Sequence, residues 1–233
     1  MKRVYFFRHA TAMERGTNLP DLERSLVKKG EKEAKAMARH LAERYPVPDL
    51  MISSFANRAI ETAHVVAKAM GYPAQKILLR DSFYENTAVD SLADEIRRQP
   101  DNYRSLLLVG HDPAFSRLAA HFIKGFRETI PKAGVVIADF SIERWADLKA
   151  RSGRLLEFTS PGRLKEERKH ARSDLETQLA QNLNEILSRI NKRAADALKD
   201  EIHKSARKIA KEFLKARGEG TRAHLDVRPR PAR

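Results

Sequence analysis

The strongest constraint in this sequence is an alternation repeated across its first 160 residues. Short apolar runs at residues 4–7, 50–52, 77–79, 105–109 and 134–140 are separated by segments whose apolar residues recur every three or four positions. Residues 30–45 put Ala34, Met37, Ala38 and Leu41 on one face and stop before Pro46. Residues 58–70 carry a stripe at 59, 60, 63, 66, 67 and 70 that Gly71 closes. Residues 89–98 read as a helix before Pro100. Pro113 stands where another helix begins, a place that tolerates proline because its missing N–H would be unpaired anyway. Residues 155–159 fit an edge strand. Strands alternating with helices predict an α/β domain over residues 1–160, with a largely parallel sheet and helices on both faces.

The chain changes character after Pro161. From about 164 to 217 there is neither proline nor glycine, and apolar residues recur from Leu175 through Leu183, Ile190 and Ile202 to Phe213 at spacings of three to four. The pattern predicts a long C-terminal amphipathic extension over residues 161–217, either one helix or a helical hairpin. A single helix would reach about 75–80 Å. Residues 218–233 are rich in Gly, Pro and Arg and are expected to be a disordered basic tail.

Composition narrows the function. The net charge is +14, of which the last 73 residues carry 19 Lys and Arg against 11 Asp and Glu. Such a field draws anionic partners: phosphorylated proteins, small phosphates or nucleic acid. Acids interleaved with the bases of the extension, and almost no aromatic residues for base stacking, argue against nucleic acid. Without cysteine there is neither a disulfide nor a thiolate metal site, and no clustered metal-ligand motif is evident. No apolar run approaches the roughly 18 residues of a membrane span, and the N-terminal run is too short for a signal-peptide core. A cytoplasmic protein without a cofactor, metal or membrane partner is the expectation.

The chemistry lies where strands end. Ligands of open α/β sheets bind at the carboxyl ends of the strands. Three polar segments fall there: Arg8-His9, residues 53–58 and Gly110-His111-Asp112. Phosphoryl transfer needs preorganised donors for the equatorial oxygens and a nucleophile in line. The planar fork of arginine meets two oxygens at once. Neutral histidine can be the nucleophile, and a second histidine can hold the transferring group. Arg8, His9, Arg58 and His111 would together make such a pocket. Of the other histidines, 40, 64, 121, 170 and 203 fall in helical patterns and read as packing or surface residues.

At this point the sequence resembles a known family. Arg8-His9-Ala10-Thr11-Ala12 is similar to the Arg-His signature of the histidine phosphatase (phosphoglycerate mutase-like) superfamily. Ser53-Ser54-Phe55-Ala56-Asn57-Arg58-Ala59-Ile60-Glu61-Thr62-Ala63 resembles its second motif, and Gly110-His111-Asp112-Pro113 its third. The segment from Asp21 to Gly30 resembles the approach to the family's first helix. Phe55 stands where the family usually has proline, Glu61 where it has glutamine, and Ala10 where it often has glycine. The resemblance implies a three-layer α/β/α phosphoglycerate mutase-like domain. It makes His9 the nucleophile that becomes a phosphohistidine, gives Arg8, Arg58 and His111 the phosphoryl group, and requires no metal.

Only 52 residues separate Arg58 from His111, and they already contain a strand, a helix and another strand, leaving little for a capping insertion. That length favours the compact SixA-type phosphohistidine phosphatase branch and a phosphate presented on a protein surface. A phosphatase of small phosphomonoesters is the alternative. A partner-binding scaffold working through the C-terminal helix is the alternative of another class. The extension would serve as a homodimer or partner-docking element. Ester hydrolysis needs a proton donor for its alkoxide, whereas a phosphoramidate leaves as imidazole and needs one less. Glu85 is the preferred acid, near where mutase-like members carry theirs. Asp112, beside His111 as in the phytase-like branch, is the other candidate.

Overall fold

The computed structural model describes residues 1–16, 19–84 and 88–220, the last four by backbone alone. It divides into two compact units, Met1–Pro161 and Gly162–Arg233.

In the first unit the apolar runs form one six-stranded sheet. Its strands are β1 (Lys2–Arg8), β2 (Leu50–Ser53), β3 (Leu78–Leu79), β4 (Ser105–Gly110), β5 (Val135–Phe140) and β6 (Gly153–Thr159). Their order is β3-β2-β4-β1-β5-β6. The pairs β3-β2, β2-β4 and β4-β1 are parallel, and β5 and β6 add antiparallel strands at one edge. The helices are α1 (Lys28–Arg44), α2 (Asn57–Met70), α3 (Val89–Arg97) and α4 (Ala114–Phe122).

Both faces of the central strands are covered, which is why β1 and β4 read as unbroken apolar runs and not as alternating ones. One face carries Val4, Phe6, Ile52, Leu106, Leu108 and Val136 against Leu92 and Ile96 of α3 and Phe115, Leu118 and Phe122 of α4. The alternate residues Tyr5, Phe7, Met51, Leu107 and Val109 are buried as completely. On that side α1 and α2 pack on each other and α2 contacts β2 and β4. The result is the three-layer α/β/α arrangement expected from the sequence.

The second unit is built from α5 (Pro161–Ile190), α6 (Lys192–Ala197) and α7 (Lys199–Gly220). The extension is therefore a helical hairpin. The Asn191 side chain caps α6 by accepting from the Ala194 N–H at 3.1 Å. Ala180 of α5 is buried with Ile202 and Ala206 of α7, flanked by Leu179, Leu183 and Leu187. The small alanines let the two backbones approach, and Glu176 of α5 pairs with Arg207 of α7 at 3.8 Å. The expected basic tail lies almost wholly in residues 221–233, outside the described residues. Among the described residues no helix is long and apolar enough to cross a membrane.

Candidate active site

The parallel strands bring the three polar segments together. Arg8 ends β1 in register with Gly110 at the end of β4, and Ser53 of β2 lies opposite Val109. The backbone then locks the turn after β1: the His9 N–H donates to the Gly110 carbonyl at 3.0 Å, and the His9 carbonyl accepts from Ala133 at 3.1 Å. Gly110 is required by close packing. A Cβ there would lie 2.0 Å from the Phe115 ring, which covers the end of β4. Arg58 sits in the first turn of α2. There Thr62 donates its hydroxyl to the Arg58 carbonyl at 2.6 Å and accepts from the Ala10 N–H at 3.1 Å. One threonine thus ties the second motif to the first.

His9 and His111 face each other, their ring centroids 4.8 Å apart. His9 Nδ1 is 2.7 Å from the Ala10 carbonyl. A carbonyl only accepts, so Nδ1 carries the proton and Nε2 keeps its lone pair. Burial, with the charges of Arg58, Arg8 and Lys132, outweighs that hydrogen bond and pushes the His9 pKa down to about 3. Burial, then His9 and Arg58, push His111 down to about 2. Both rings are neutral near neutral pH. His111 Nε2 is hydrogen-bonded to the Ser54 hydroxyl at 2.9 Å.

Each arginine is held from behind. Arg8 Nη1 donates to the Ile130 carbonyl at 2.7 Å. The Ile130 N–H donates to the Ser116 hydroxyl at 2.8 Å, and Ser116 donates in turn to Asp112 Oδ1. The other Asp112 oxygen lies 3.8 Å from Arg8 Nη1, which closes the ring. Arg58 is 3% exposed. Its Nη1 donates to the Asp21 carbonyl at 2.6 Å and its Nη2 to the Asp21 carboxylate at 2.8 Å. The Nε atoms of both arginines are buried without a partner among the described residues. Buried donors left unpaired in this way are costly.

These groups line a pocket of about 620 Å³. The four residues singled out from sequence all reach it, as does Asp112. Glu85, the preferred acid, lies outside the described residues. Sequence reasoning did not single out Asp21, Arg24, Tyr84 or Lys132 as site residues, although all four line the pocket. The signal available was the segment before α1, quoted for its resemblance but given no role. Glu61 of α2 anchors that segment by accepting from the Leu26 N–H at 2.7 Å, so a carboxylate works where the family has glutamine. Among the described residues no three of His, Asp and Glu gather to hold a metal ion.

A buried imidazole flanked by one arginine at the end of β1 and another in the first turn of α2 is what a phosphatase working through a histidine needs. Residues 4–87 match the model of the histidine phosphatase superfamily (branch 1). The putative phosphohistidine phosphatase SixA of Agrobacterium tumefaciens is 27% identical. The match covers 69% of this chain and 98% of that one, with a TM-score of 0.59. The structure of the protein histidine phosphatase SixA complexed with tungstate shares the fold at 20% identity, covering 70% of this chain and 99% of that one at the same TM-score. A Mycobacterium tuberculosis protein described only as uncharacterized is 28% identical over 154 residues, 61% of this chain and 92% of its own length. These relatives are matched almost end to end, so nearly a third or more of this chain has no counterpart in them.

Proposed function

We propose that this enzyme removes phosphoryl groups from phosphohistidine on proteins, through a phosphohistidine formed on its own His9 and without a metal. The observation that carries the reading is the His9 ring: Nδ1 is committed to a carbonyl, and burial and neighbouring cations keep Nε2 unprotonated at neutral pH. A nucleophile needs that state. His9 Nε2 attacks phosphorus, the new N–P bond forms, and the bond from phosphorus to the substrate's nitrogen breaks. Arg8, Arg58 and His111 hold the equatorial oxygens, where positioned charge does most of the work. The leaving imidazole departs and takes a proton from solvent. Water then attacks the phosphorylated His9, its N–P bond breaks, inorganic phosphate leaves and neutral His9 is restored.

The protein-substrate part of the reading is supported by the compact span between Arg58 and His111, which β3, α3 and β4 largely occupy. It is supported too by the likeness to a putative phosphohistidine phosphatase. Asp112 suits a place behind Arg8 better than the part of proton donor, because one of its oxygens accepts from Ser116 and the other faces a guanidinium. An imidazole leaving group makes little demand for such a donor.

The deciding experiment is turnover, in chelator, of a phosphohistidine-bearing protein beside a small aryl phosphate, each with wild type and His9→Ala. Preference for the phosphoprotein, abolished in the variant, is expected. Faster hydrolysis of the ester would move the assignment to small phosphomonoesters, and a requirement for added Mg²⁺ or Zn²⁺ would remove the metal-independent mechanism.

The helical hairpin fits a homodimer contact. Ile186, Ile190, Leu198, Ile209 and Phe213 are exposed at 48–78%, apolar side chains that a second copy could cover. Light scattering across a concentration series tests it, and a mass that stays monomeric at high concentration would exclude it.

A further inference from the structure

Asp21 has no part in the phosphoryl chemistry of the proposed reaction, yet its carboxylate is heavily bonded among the described residues of the pocket. It lies in a single turn, Asp21–Glu23, that α2 holds in place through Asn57, Arg58 and Glu61. Its carboxylate accepts from Arg58 Nη2 at 2.8 Å and from the Tyr84 hydroxyl at 2.8 Å on one oxygen, and from Arg24 Nε at 2.9 Å on the other. Arg15 Nε stands 3.3 Å from that second oxygen. Its backbone carbonyl takes Arg58 Nη1. One residue therefore grips both terminal nitrogens of Arg58. A guanidinium is planar and rigid, so fixing both ends fixes the direction of its third edge. That edge is Nε, buried and without a partner among the described residues. Through Tyr84 the same carboxylate also steadies the wall beside His111, whose ring meets the Tyr84 ring edge-on at 5.5 Å.

We propose that Asp21 is a positioning residue that sets the orientation of Arg58 for the phosphoryl group, acting through the guanidinium and not on the substrate. The inference rests on the reading of Arg58 as a phosphoryl-binding group. The carboxylate is suited to the task because it stays ionised. Burial alone would raise its pKa, but hydrogen bonds from Tyr84 and Arg58 and the charges of Arg58 and Arg24 hold it well below the usual carboxylate range. An arginine left to turn in the pocket would meet phosphate oxygens in many orientations. Misplacement of a catalytic group by about 1 Å costs on the order of 100-fold in rate.

The test is a double-mutant cycle on the full chain, with Asp21→Ala, Arg58→Ala and the double variant. It reads turnover of a small aryl phosphate and binding of tungstate as a phosphate mimic, with thermal unfolding followed alongside. Asp21→Ala is expected to lower kcat/KM by roughly 10- to 100-fold and to weaken tungstate by a similar factor. In the Arg58→Ala background the same change is expected to cost less than about twofold, the mark of a residue acting through its partner. Asp21→Asn, which keeps an acceptor oxygen, is expected to recover part of the loss, and it carries the same cycle if Asp21→Ala does not fold. A smaller active fraction alone would lower kcat and leave the tungstate affinity as it was, and that result overturns the proposal. So does an equal penalty in both backgrounds, or no penalty in either. Arg58→Ala with near-wild-type turnover would instead bring down the assignment of the phosphoryl site, and this inference with it.

Discussion

The imidazoles of His9 and His111 lie 4.8 Å apart, centroid to centroid, in surroundings that favour the neutral form of both. The pair sets a pH dependence of stability. With folded pKa values of about 3 and about 2, and an unfolded value of about 6.5, the unfolded chain binds protons that the folded one does not. The contribution is present in full above the unfolded value and falls as pH drops through it. The slope approaches about 1.4 kcal/mol per pH unit for each ring. Denaturant unfolding at pH 7.5, 6 and 5 measures it before the carboxylates titrate, and His111→Asn is expected to remove about half of the slope. Equal stability from pH 7.5 to 5 would mean that the two rings are not held neutral.

Ser116 links Asp112 to Ile130 and so to Arg8. Ser116→Ala is expected to leave the Ile130 N–H unpaired in a buried place, lowering stability by about 1–3 kcal/mol. It should also lower turnover, because Arg8 loses part of its frame. Unfolding and aryl phosphate kinetics on one preparation read both effects. Reduced stability at wild-type turnover would show that Arg8 keeps its orientation without the link.

Gly110→Ala is expected to be strongly destabilising. The new methyl would meet the Phe115 ring at 2.0 Å, and overpacking of this kind costs about 1–3 kcal/mol or more. Combining it with Phe115→Leu should restore part of the thermal stability. If Gly110→Ala melts with wild type, α4 does not press on the end of β4.

Ala206 lies in the seam between α5 and α7, 1% exposed. Ala206→Glu would push a carboxylate into that seam without a partner, and the hairpin is expected to lose at least about 2 kcal/mol. Thermal loss of helical signal at 222 nm tracks that change. An unchanged profile would mean that the helices do not depend on this contact.

Much of the site was legible because the apolar runs announce where strands end. Arg8-His9 and Gly110-His111 directly succeed runs that can only be central strands, and parallel neighbours must deliver their succeeding residues to one edge of the sheet. Fold class, strand positions and four pocket residues come from that. The Asp21–Arg58 contact does not, because it spans 37 positions and depends on how α2 holds the preceding turn. The hairpin was equally hidden. The apolar stripe runs through Asn191 at helical spacing, and one long helix and two folded helices share that periodicity.

The sequence by itself determined the sheet, the layers of helix and the neighbourhood of His9, because these depend on local periodicity and on the burial of apolar runs. Tertiary structure decided the rest. It selected the His9 tautomer through the Ala10 carbonyl and kept both imidazoles neutral by burying them. It placed a carboxylate behind each arginine and folded the extension back on itself. The physical reason is the same in each case. Proton positions, guanidinium orientation and helix pairing are set by atoms distant in the chain, and their energies exist only once folding has brought those atoms within hydrogen-bonding or packing distance.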